Sequence, residues 1–320
     1  MIDPTLSPRL IPLQYKRPKR LISGILLLDK PHGFSSNQAL QKVKWLLQAA
    51  KAGHTGTLDP LATGLLPLCF GEATKFAQYL TDADKTYIAT IKFGLCTTTG
   101  DAEGEVISTR PVLCSFQQVR DACQQFTGEI SQIPPMYSAL KHEGKALYEY
   151  ARAGVEIARK ARLVTIHGIS LDSFSDDAAV ISVRCSKGTY IRTLAEDIGH
   201  ALGCGAHLVA LRRTETANYK IDQAITLQAF EAMTDAARLG CLAPPDSAIS
   251  ELPEVMLDHD SVFYLKQGQP VWRSGVIPDG LLRLYDESRE FLGVGQLQSD
   301  GKIAPKRLIQ QTNNGGLAKK

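Results

Sequence analysis

A carboxylate at position 59 lies in a glycine-rich stretch, and this stretch holds the residue types best suited to chemistry. Residues 53–64 read GHTGTLDPLATG. Three glycines within so short a segment exclude a helix or a regular strand, and Pro60 keeps Asp59 out of the α region. Apolar segments on both sides anchor the loop. Asp59 is therefore a candidate catalytic group, although an aspartate in such a loop could also simply cap a turn through its own backbone.

Other common catalytic and cofactor signatures are absent from the sequence. The seven cysteines are an odd set without a C-x-x-C pair, which signals neither a disulfide framework nor a zinc site. The chain has no G-x-G-x-x-G, P-loop or H-E-x-x-H motif. We therefore expect chemistry that needs no cofactor and no metal.

The charge distribution is uninformative about partners. The net charge is only +3. The first 20 residues carry Arg9, Lys16, Arg17, Lys19 and Arg20 against Asp3, which is +4 and leaves −1 for the rest of the chain. This basic tail could bind a polyanion or simply be a solvated, flexible terminus. No apolar run has signal-peptide proportions or approaches the roughly 18 residues of a membrane span. We expect a cytoplasmic protein with reduced thiols that does not contact a membrane.

The elements that must position the Asp59 loop alternate between strands and helices. The segment 85–93, KTYIATIKF, has a clear period of two and predicts a strand with Tyr87 on its buried face. Ser35 or Ser36, Ser115 and Thr226 are candidate helix N-caps. The other predicted strands are 21–29, 65–70, 163–174, 178–185 and 206–211. Predicted helices follow the N-caps and cover 72–80, 145–152, 190–202 and 227–238. This order favours an α+β sheet domain over a doubly wound one.

The sequence texture changes at about residue 250. Short alternating runs at 261–267, 271–275, 281–286 and 291–298 are separated by glycine and proline. Strands of this length and spacing are typical of a small β-barrel. Residues 246–252, after Pro244-Pro245, are the expected linker.

Six ordered motifs carry a resemblance to a known family. They are GILLLDKPHGFSSNQALQKVK, AGHTGTLDPLATGLLPLCFGEATKF, DKTYIATIKFG, PPMYSALKHEGKALYEYAR, CSKGTYIRTLAEDIG and GAHLVALRRT. In this order and spacing they closely resemble the bacterial TruB family of tRNA pseudouridine synthases, which isomerise a uridine in the tRNA T-loop. The resemblance covers residues 22–250, and the C-terminal segment is similar to the PUA-type RNA-binding barrel of those enzymes.

The resemblance implies an architecture. It implies a pseudouridine-synthase fold, with a mixed and largely antiparallel sheet flanked by helices, followed by a small PUA-like β-barrel. The implied division is a basic, flexible tail over 1–20, a catalytic domain over 21–250, an RNA-binding domain over 251–314 and a short tail over 315–320.

The resemblance also assigns roles to particular residues. Asp59 matches the catalytic aspartate, which attacks C1′ or supports glycosidic cleavage. Arg192 matches the arginine that pairs with it, and Tyr87 the tyrosine that stacks on the target base and is placed to help remove the C5 proton. Tyr190 and Leu211 match positions around the base, and His54 the histidine that fills the space left by the flipped uridine. Outside these motifs, each would be read as an ordinary core, turn or surface residue.

Several cations have less definite expected roles. Lys30 recurs in the first motif, where it would support the wall of the active site more than contact RNA. Lys75, Lys85, Arg212 and Arg213 are candidate phosphate contacts, or else solvated surface charges.

The implied activity is conversion of uridine-55 in the T-loop of tRNA to pseudouridine by a monomer with no required protein partner. Base flipping, Asp59-dependent glycosidic cleavage, base rotation and reattachment through C5 are the implied steps. Two alternatives stay open on the residues alone. One is an RNA-binding module that folds tRNA and in which catalysis is secondary, and the other is an N-glycosidase that releases free uracil.

Overall fold

The structure is a computed structural model that describes residues 18–275, 278–310 and 316–317. Apart from residues 18–20, the predicted basic tail lies outside the described residues. The predicted C-terminal tail also lies outside them, except for 316–317.

The strands before residue 250 are β1 (Arg20–Leu21), β2 (Gly24–Lys30), β3 (Ala52–His54), β4 (Thr63–Phe70), β5 (Lys85–Phe93), β6 (Leu95–Thr97), β7 (Val106–Thr109), β8 (Gly128–Gln132), β9 (Lys141–His142), β10 (Lys145–Ala146), β11 (Arg162–Ser175), β12 (Ala178–Cys185), β13 (Ala206–Thr216), β14 (Tyr219–Lys220) and β15 (Ile225–Thr226). The later strands are β16 (Glu254–Leu257), β17 (Leu281–Asp286), β18 (Phe291–Leu297), β19 (Ile303–Leu308) and β20 (Gly316–Leu317).

The α-helices are α1 (Ser36–Leu47), α2 (Ala77–Asp82), α3 (Phe116–Gln125), α4 (Leu147–Arg152), α5 (Ile191–Ala201), α6 (Leu227–Ala232), α7 (Asp235–Gly240) and α8 (His259–Lys266). Short 3₁₀ helices cover Gly71–Lys75, Ile221–Gln223 and Pro245–Ile249.

Ten strands form one mixed sheet in the described part of the chain. Its main path runs β15-β2-β4-β13-β5-β12-β11-β8, with β14 beside β13 and β3 beside β4. The β15/β2 and β13/β4 pairs are parallel and the other pairs are antiparallel. Helices α1, α3 and α5 pack their apolar faces into the core on this sheet. The predicted α+β architecture, with a mixed and largely antiparallel sheet flanked by helices, is confirmed.

Local sequence signals explain several of these elements. In β5 the buried residues alternate with less buried ones, as the period of two predicts. Helix α1 begins after Ser35, whose hydroxyl accepts from the backbone N–H of Gln38 while the Gln38 side chain returns a bond to the Ser35 N–H. Ser115 and Gln118 form the same capping box at α3.

A separate four-stranded sheet, in the order β16-β17-β18-β19, forms the C-terminal domain. The prediction of a strand over 261–267 is wrong, because residues 261–266 belong to α8 and Gln267 is its C-cap. The Asp258 side chain caps that helix by accepting from the Ser261 N–H, and Val262 and Leu265, three residues apart, both face the core. The run 271–275 contributes only an isolated bridge between Val271 and Ile303.

Two further predicted helices differ from the structure. The segment 227–238 is divided at Met233, because Thr234 caps a new helix by accepting from the Ala237 N–H. The segment 72–80 begins as a 3₁₀ turn before α2.

The two sheets share a hydrophobic cluster. Phe291 of β18 contacts Phe76, with 5.5 Å between the ring centroids. The expected linker contributes Ala248 and Ile249 to this cluster, and the Tyr285 hydroxyl donates to Asp246 at 2.7 Å. Residues 245–249 are therefore a packed 3₁₀ helix that joins the two domains.

Candidate active site

The Asp59 loop is held in place from both sides. The hydroxyl of Ser36 accepts from the Leu58 N–H at 2.7 Å and donates to the Leu58 carbonyl at 3.0 Å. The Asp59 carbonyl accepts from the Ala62 N–H, which closes a turn immediately after the carboxylate. Asp59 is thus fixed to the first turn of α1.

Gly64 fixes the other end of the loop against β13. The parallel register of β4 and β13 places Gly64 opposite Arg213. A Cβ atom on Gly64 would lie 2.3 Å from the Arg213 carbonyl oxygen, and the φ of +101° is one that other residues rarely adopt. The Arg213 side chain, only 1% exposed, donates to the carbonyls of Leu65 at 2.7 Å and Gly56 at 3.3 Å. Arg213 is therefore a buried brace of the loop.

Arg192 is the centre of the charged network. It lies on the first turn of α5, is 4% exposed, and its Nε is 3.1 Å from Asp59 Oδ2. Its Nη1 is 3.3 Å from Asp101 Oδ2. The same side chain donates to the carbonyls of Thr99 at 3.0 Å and Tyr137 at 2.6 Å. One guanidinium therefore ties together the Asp59 loop, the 97–105 loop and the 133–140 segment.

The electrostatics of Asp59 reflect two opposed influences. Desolvation by the surrounding protein raises the pKa of Asp59 above its ordinary value, and the adjacent Arg192 opposes that rise. Asp101 raises the pKa further, whereas Lys30 lowers it. The Arg192 ion pair is thus the main favourable influence on the ionised form, which is the form that can act as a nucleophile or base.

Asp59 opens into a cavity of about 690 Å³. The cavity brings together eight of the residues that the sequence singled out: His54, Asp59, Lys85, Tyr87, Tyr190, Arg192, Leu211 and Arg213. These residues come from β3, the Asp59 loop, β5, α5 with its N-cap, and β13. A cavity of this volume, with a carboxylate and aromatic rings in its wall, is suited to a planar polar ligand.

Aromatic rings in the cavity wall are held in neutral form. Burial raises the pKa of Tyr87 and Arg213 opposes the rise, so the phenol stays protonated at neutral pH. Burial, followed by the charge of Arg213, lowers the pKa of His54, which favours the neutral imidazole. The buried His54 Nδ1 has no hydrogen-bond partner among the described residues. Both rings are therefore better suited to stacking than to proton transfer.

Known protein-family domains together match residues 44–309 of this chain. Residues 44–191 match the "TruB family pseudouridylate synthase (N terminal domain)". Residues 192–261 match the "tRNA pseudouridylate synthase B C-terminal domain", and residues 253–309 match "Pseudouridine synthase II TruB, C-terminal".

Curated relatives are similar over their full length. The chain is 58% identical over 299 residues to tRNA pseudouridine synthase B of Methylobacillus flagellatus, covering 93% of this chain and 99% of that protein. It is 53% identical over 301 residues to tRNA pseudouridine synthase B of Pseudomonas aeruginosa, with the same coverage. The chain belongs to the TruB family of pseudouridylate synthases. The predicted resemblance and the prediction of a pseudouridine-forming enzyme are confirmed.

Solved structures show the same TruB-type fold at lower sequence identity. The chain in "Structure of H/ACA RNP bound to a substrate RNA containing 2'-deoxyuridine" has a TM-score of 0.67 at 23% identity, covering 90% of this chain and 85% of that one. The chain in "Crystal Structure of a Cbf5-Nop10-Gar1 Complex" has a TM-score of 0.65 at 25% identity, covering 92% and 84%.

Lys30 and Lys75 do not line the cavity of this TruB family member. Lys30 is fully buried, and its ammonium donates to the carbonyls of Pro31 at 3.0 Å and Phe34 at 2.5 Å. Burial lowers the pKa of Lys30 to about 8, and the charge of Asp59 opposes this decrease. Lys30 is therefore placed to support the wall of the active site, and its buried side chain is not accessible to RNA. Lys75 pairs with Glu72 at 2.6 Å and donates to the Leu308 carbonyl at 2.9 Å, so it joins the two domains.

The side chains of the other candidate phosphate contacts also bond to protein groups. Lys85 donates to the carbonyls of Leu80, Thr81 and Ala83 near the end of α2. Burial lowers the pKa of Lys85 to about 8. Arg212 forms a bidentate pair with Asp29, at 3.1 and 2.7 Å. The expectation that Arg213 contacts phosphate is wrong, since its side chain is buried and donates to the carbonyls of Leu65 and Gly56.

Sequence reasoning missed two residues that organise the site. Asp101 is buried against Arg192, and its Oδ1 accepts from the Thr99 hydroxyl at 2.5 Å and the Glu103 N–H at 3.1 Å. The side-chain amide of Gln132 holds the backbone of Tyr190. It accepts from the Tyr190 N–H at 3.0 Å and donates to the Tyr190 carbonyl at 3.3 Å. Asp101 lies in the segment TTTGDAEGE at 97–105, where the only sequence signal was an aspartate among glycines and threonines.

Among the described residues, no group of three or more histidine, cysteine, aspartate or glutamate side chains is arranged to hold a metal ion. In the same part of the chain, no helix is both long and apolar enough to cross a membrane.

Proposed function

We propose that this chain converts uridine-55 in the T-loop of tRNA to pseudouridine. The observation that carries the proposal is the Asp59–Arg192 ion pair inside a cavity walled by Tyr87, Tyr190 and Leu211. The names of its curated relatives, all tRNA pseudouridine synthase B, support the choice of tRNA as substrate.

The reaction breaks the N1–C1′ bond, turns the uracil over and joins it to C1′ through C5. The C5 proton is lost and N1 gains one, so no redox partner or water is consumed. Asp59, whose ionised form Arg192 favours, attacks C1′ or takes a proton from the sugar as the glycosidic bond breaks. A second carboxylate acid of the kind found in glycosidases is not needed, because the uracil stays in the cavity and reacts again.

The aromatic residues bind the base that leaves the loop. Tyr87 stacks on the uracil, a contact worth roughly 1–3 kcal/mol. Its protonated phenol favours this stacking role over that of a base for the C5 proton. Tyr190 and Leu211 enclose the ring. His54 takes the place of the flipped uridine in the T-loop and offsets part of the flipping cost of a few kcal/mol.

The domain division follows from this assignment. Residues 21–250 form the catalytic domain, and residues 251–314 form a PUA-like domain that adds contacts to the tRNA. The cavity and its charged network are complete within one chain, which supports action as a monomer without a required protein partner.

Incubation with unmodified tRNA, followed by chemical mapping of pseudouridine and chromatography of released bases, tests the proposal. The expected result is one pseudouridine, at position 55, and no free uracil. Free uracil would instead indicate an N-glycosidase, and binding without any base change would indicate an RNA-folding module.

A further inference from the structure

Five cationic side chains line the Asp59 cavity in the described structure: Lys85, Arg162, Lys187, Arg192 and Arg213. Four of them are held by protein groups. Lys187 pairs with Asp82 at 2.9 Å, and the bonds of the other three are given above. Arg162 differs, because no carboxylate of the described residues lies within 4 Å of its guanidinium and no described group accepts a hydrogen bond from it.

The pairing of β11 with β8 fixes the position of Arg162. It is the first residue of β11 and pairs with Gln132 at the end of β8, the outermost strand on that side of the main sheet path. Gln132 in turn holds the backbone of Tyr190. Two residues after Arg162, and so on the same face of the strand, Val164 is buried in the cavity wall. Arg162 therefore stands beside Tyr190 at the rim of the cavity.

Arg162 is close enough to Tyr190 to influence it. Burial raises the pKa of Tyr190, and the neighbouring Ser138 side chain and the charge of Arg162 oppose the rise. The arginine itself is exposed. An exposed guanidinium with open donors, next to a ring that faces the substrate, is arranged to receive an anion from solvent.

A nucleotide whose base enters this cavity must leave its sugar and phosphates at the rim. A guanidinium binds a phosphate through two parallel hydrogen bonds, which a lysine cannot reproduce. We propose that Arg162 binds a backbone phosphate next to the flipped uridine and so fixes the depth and orientation of that nucleotide in the cavity. This assignment rests on the proposed function, since it takes the substrate to be RNA.

The first test compares Arg162→Ala and Arg162→Lys with the wild type on unmodified tRNA. We expect about a tenfold rise in KM and in the dissociation constant for Arg162→Ala, with kcat changed less than about threefold, because one charged hydrogen-bonded contact is lost. Arg162→Lys keeps the charge and should recover part of the affinity. The slope of log affinity against log salt should fall by about 0.7–0.9 in Arg162→Ala, the value for one phosphate.

Arg120→Ala is the matched control. Arg120 is an exposed arginine on α3 that does not line the cavity, and its side chain donates a hydrogen bond to the neighbouring Gln117. The control removes the same charge and should keep wild-type affinity and salt slope. Thermal unfolding of each variant checks that the fold is intact, and Arg162→Lys remains informative if Arg162→Ala unfolds.

The second test locates the phosphate. T-arm hairpins carrying a single neutral methylphosphonate are bound to wild type and to Arg162→Ala. At one position beside the target uridine, the substitution should weaken wild-type binding and leave Arg162→Ala binding unchanged. Equal losses in both proteins at every position, or an unchanged KM and salt slope in Arg162→Ala, overturn the assignment. Binding is measured apart from turnover, so a wild type that binds but makes no pseudouridine refutes the proposed function alone.

Discussion

Asp101 Oδ2 lies 3.3 Å from Nη1 of Arg192, and the two side chains are almost completely buried. The same guanidinium reaches Asp59 through Nε at 3.1 Å. Asp59 retains access to the cavity, whereas Asp101 is closed off beneath it. We therefore expect Asp101 to act on the reaction through the position of Arg192, and Asp59 to be the carboxylate that meets the substrate.

Replacing Asp101 should damage turnover more than substrate binding. In Asp101→Asn the acceptor for Thr99 and Glu103 is kept and the charge facing Arg192 is lost. We expect kcat to fall by about a hundredfold, because small displacements of a catalytic pair carry costs of that size, with KM changed little. Single-turnover kinetics measures the effect.

Asp121→Asn is the control, since Asp121 is an exposed aspartate on α3. An Asp101→Asn variant with wild-type kcat would contradict the positioning role. Asp101→Ala should in addition lower the free energy of unfolding by about 3–5 kcal/mol, because it leaves the buried guanidinium with one carboxylate fewer.

The close contact between Gly64 and Arg213 gives a prediction about stability. Gly64→Ala places a methyl group 2.3 Å from the Arg213 carbonyl oxygen at a φ of +101°. We expect a loss of about 2–4 kcal/mol in the free energy of unfolding, measured by chemical denaturation. Gly53→Ala is the control within the same loop, because a methyl group on Gly53 would meet no atom within 4 Å. Equal stability of the two variants would contradict a close contact between Gly64 and the backbone of Arg213.

Glu196 should make stability depend on pH. A Cβ on Gly100 would lie 2.9 Å from the Glu196 carboxyl carbon, so this carboxyl packs against the loop that carries Asp101. Burial raises the pKa of Glu196 from 4.5 to about 7, with Asp197 adding to the rise and Arg192 opposing it. The folded protein therefore holds this proton more tightly than the unfolded chain does. The resulting stability is complete below about pH 4.5 and is lost as the pH rises to about 7.

Removing the Glu196 charge should abolish that dependence. We expect Glu196→Gln to match the wild type at pH 4 and to exceed it by about 1–3 kcal/mol in free energy of unfolding at pH 8. Denaturation curves across this range measure the difference, with the exposed Glu129→Gln as control. A Glu196→Gln variant as unstable at pH 8 as the wild type would show that the carboxyl is not strained by burial.

The shared core of the two domains predicts that they are thermodynamically coupled. The Phe291 ring contacts Phe76 of the catalytic domain and Tyr285 of its own sheet, each with 5.5 Å between centroids. Phe291→Ala should cost about 3–5 kcal/mol, and the loss should appear in a single unfolding transition. Phe263→Ala, at a side chain 58% exposed on α8, should cost less than about 1 kcal/mol. Two separate transitions in the wild type would contradict the coupling.

Truncation of the C-terminal domain would also disturb the hydrophobic cluster that the two domains share. Removing residues 251–320 would expose Phe76 and Leu80, which pack in the shared cluster. A fall in tRNA affinity after truncation would therefore combine lost RNA contacts with a destabilised catalytic domain. Point substitutions on the exposed face of the C-terminal domain separate the two effects.

Local patterns in the sequence predicted the elements that depend on local interactions. The period of two in 85–93 gave the bounds of β5, and Ser35 and Ser115 marked the starts of two helices. The strand predicted over 261–267 failed because alternation over so few residues cannot be distinguished from a short amphipathic helix, and the Asp258 cap decides between them.

Contacts between distant segments could not be predicted from the residues alone. Asp101 and Arg192 are far apart in sequence, and only the sheet brings the 97–105 loop beneath α5. Likewise, Lys85 and Arg213 are residue types that commonly contact phosphate, but their side chains point into the protein and donate to backbone carbonyls. Their burial is a consequence of tertiary packing, which charge on a sequence does not reveal.

The catalytic role of Asp59 is tested most directly by single-turnover pseudouridine formation by Asp59→Asn on unmodified tRNA. The dissociation constant of the variant for the same tRNA is measured alongside. Asparagine keeps the size of the side chain and can still accept a hydrogen bond from Arg192, but it offers neither a nucleophile nor a base. We expect no detectable pseudouridine, with tRNA affinity within about threefold of the wild type, since the phosphate contacts that dominate affinity are unchanged. Pseudouridine formation at a rate near that of the wild type would contradict the catalytic role of Asp59.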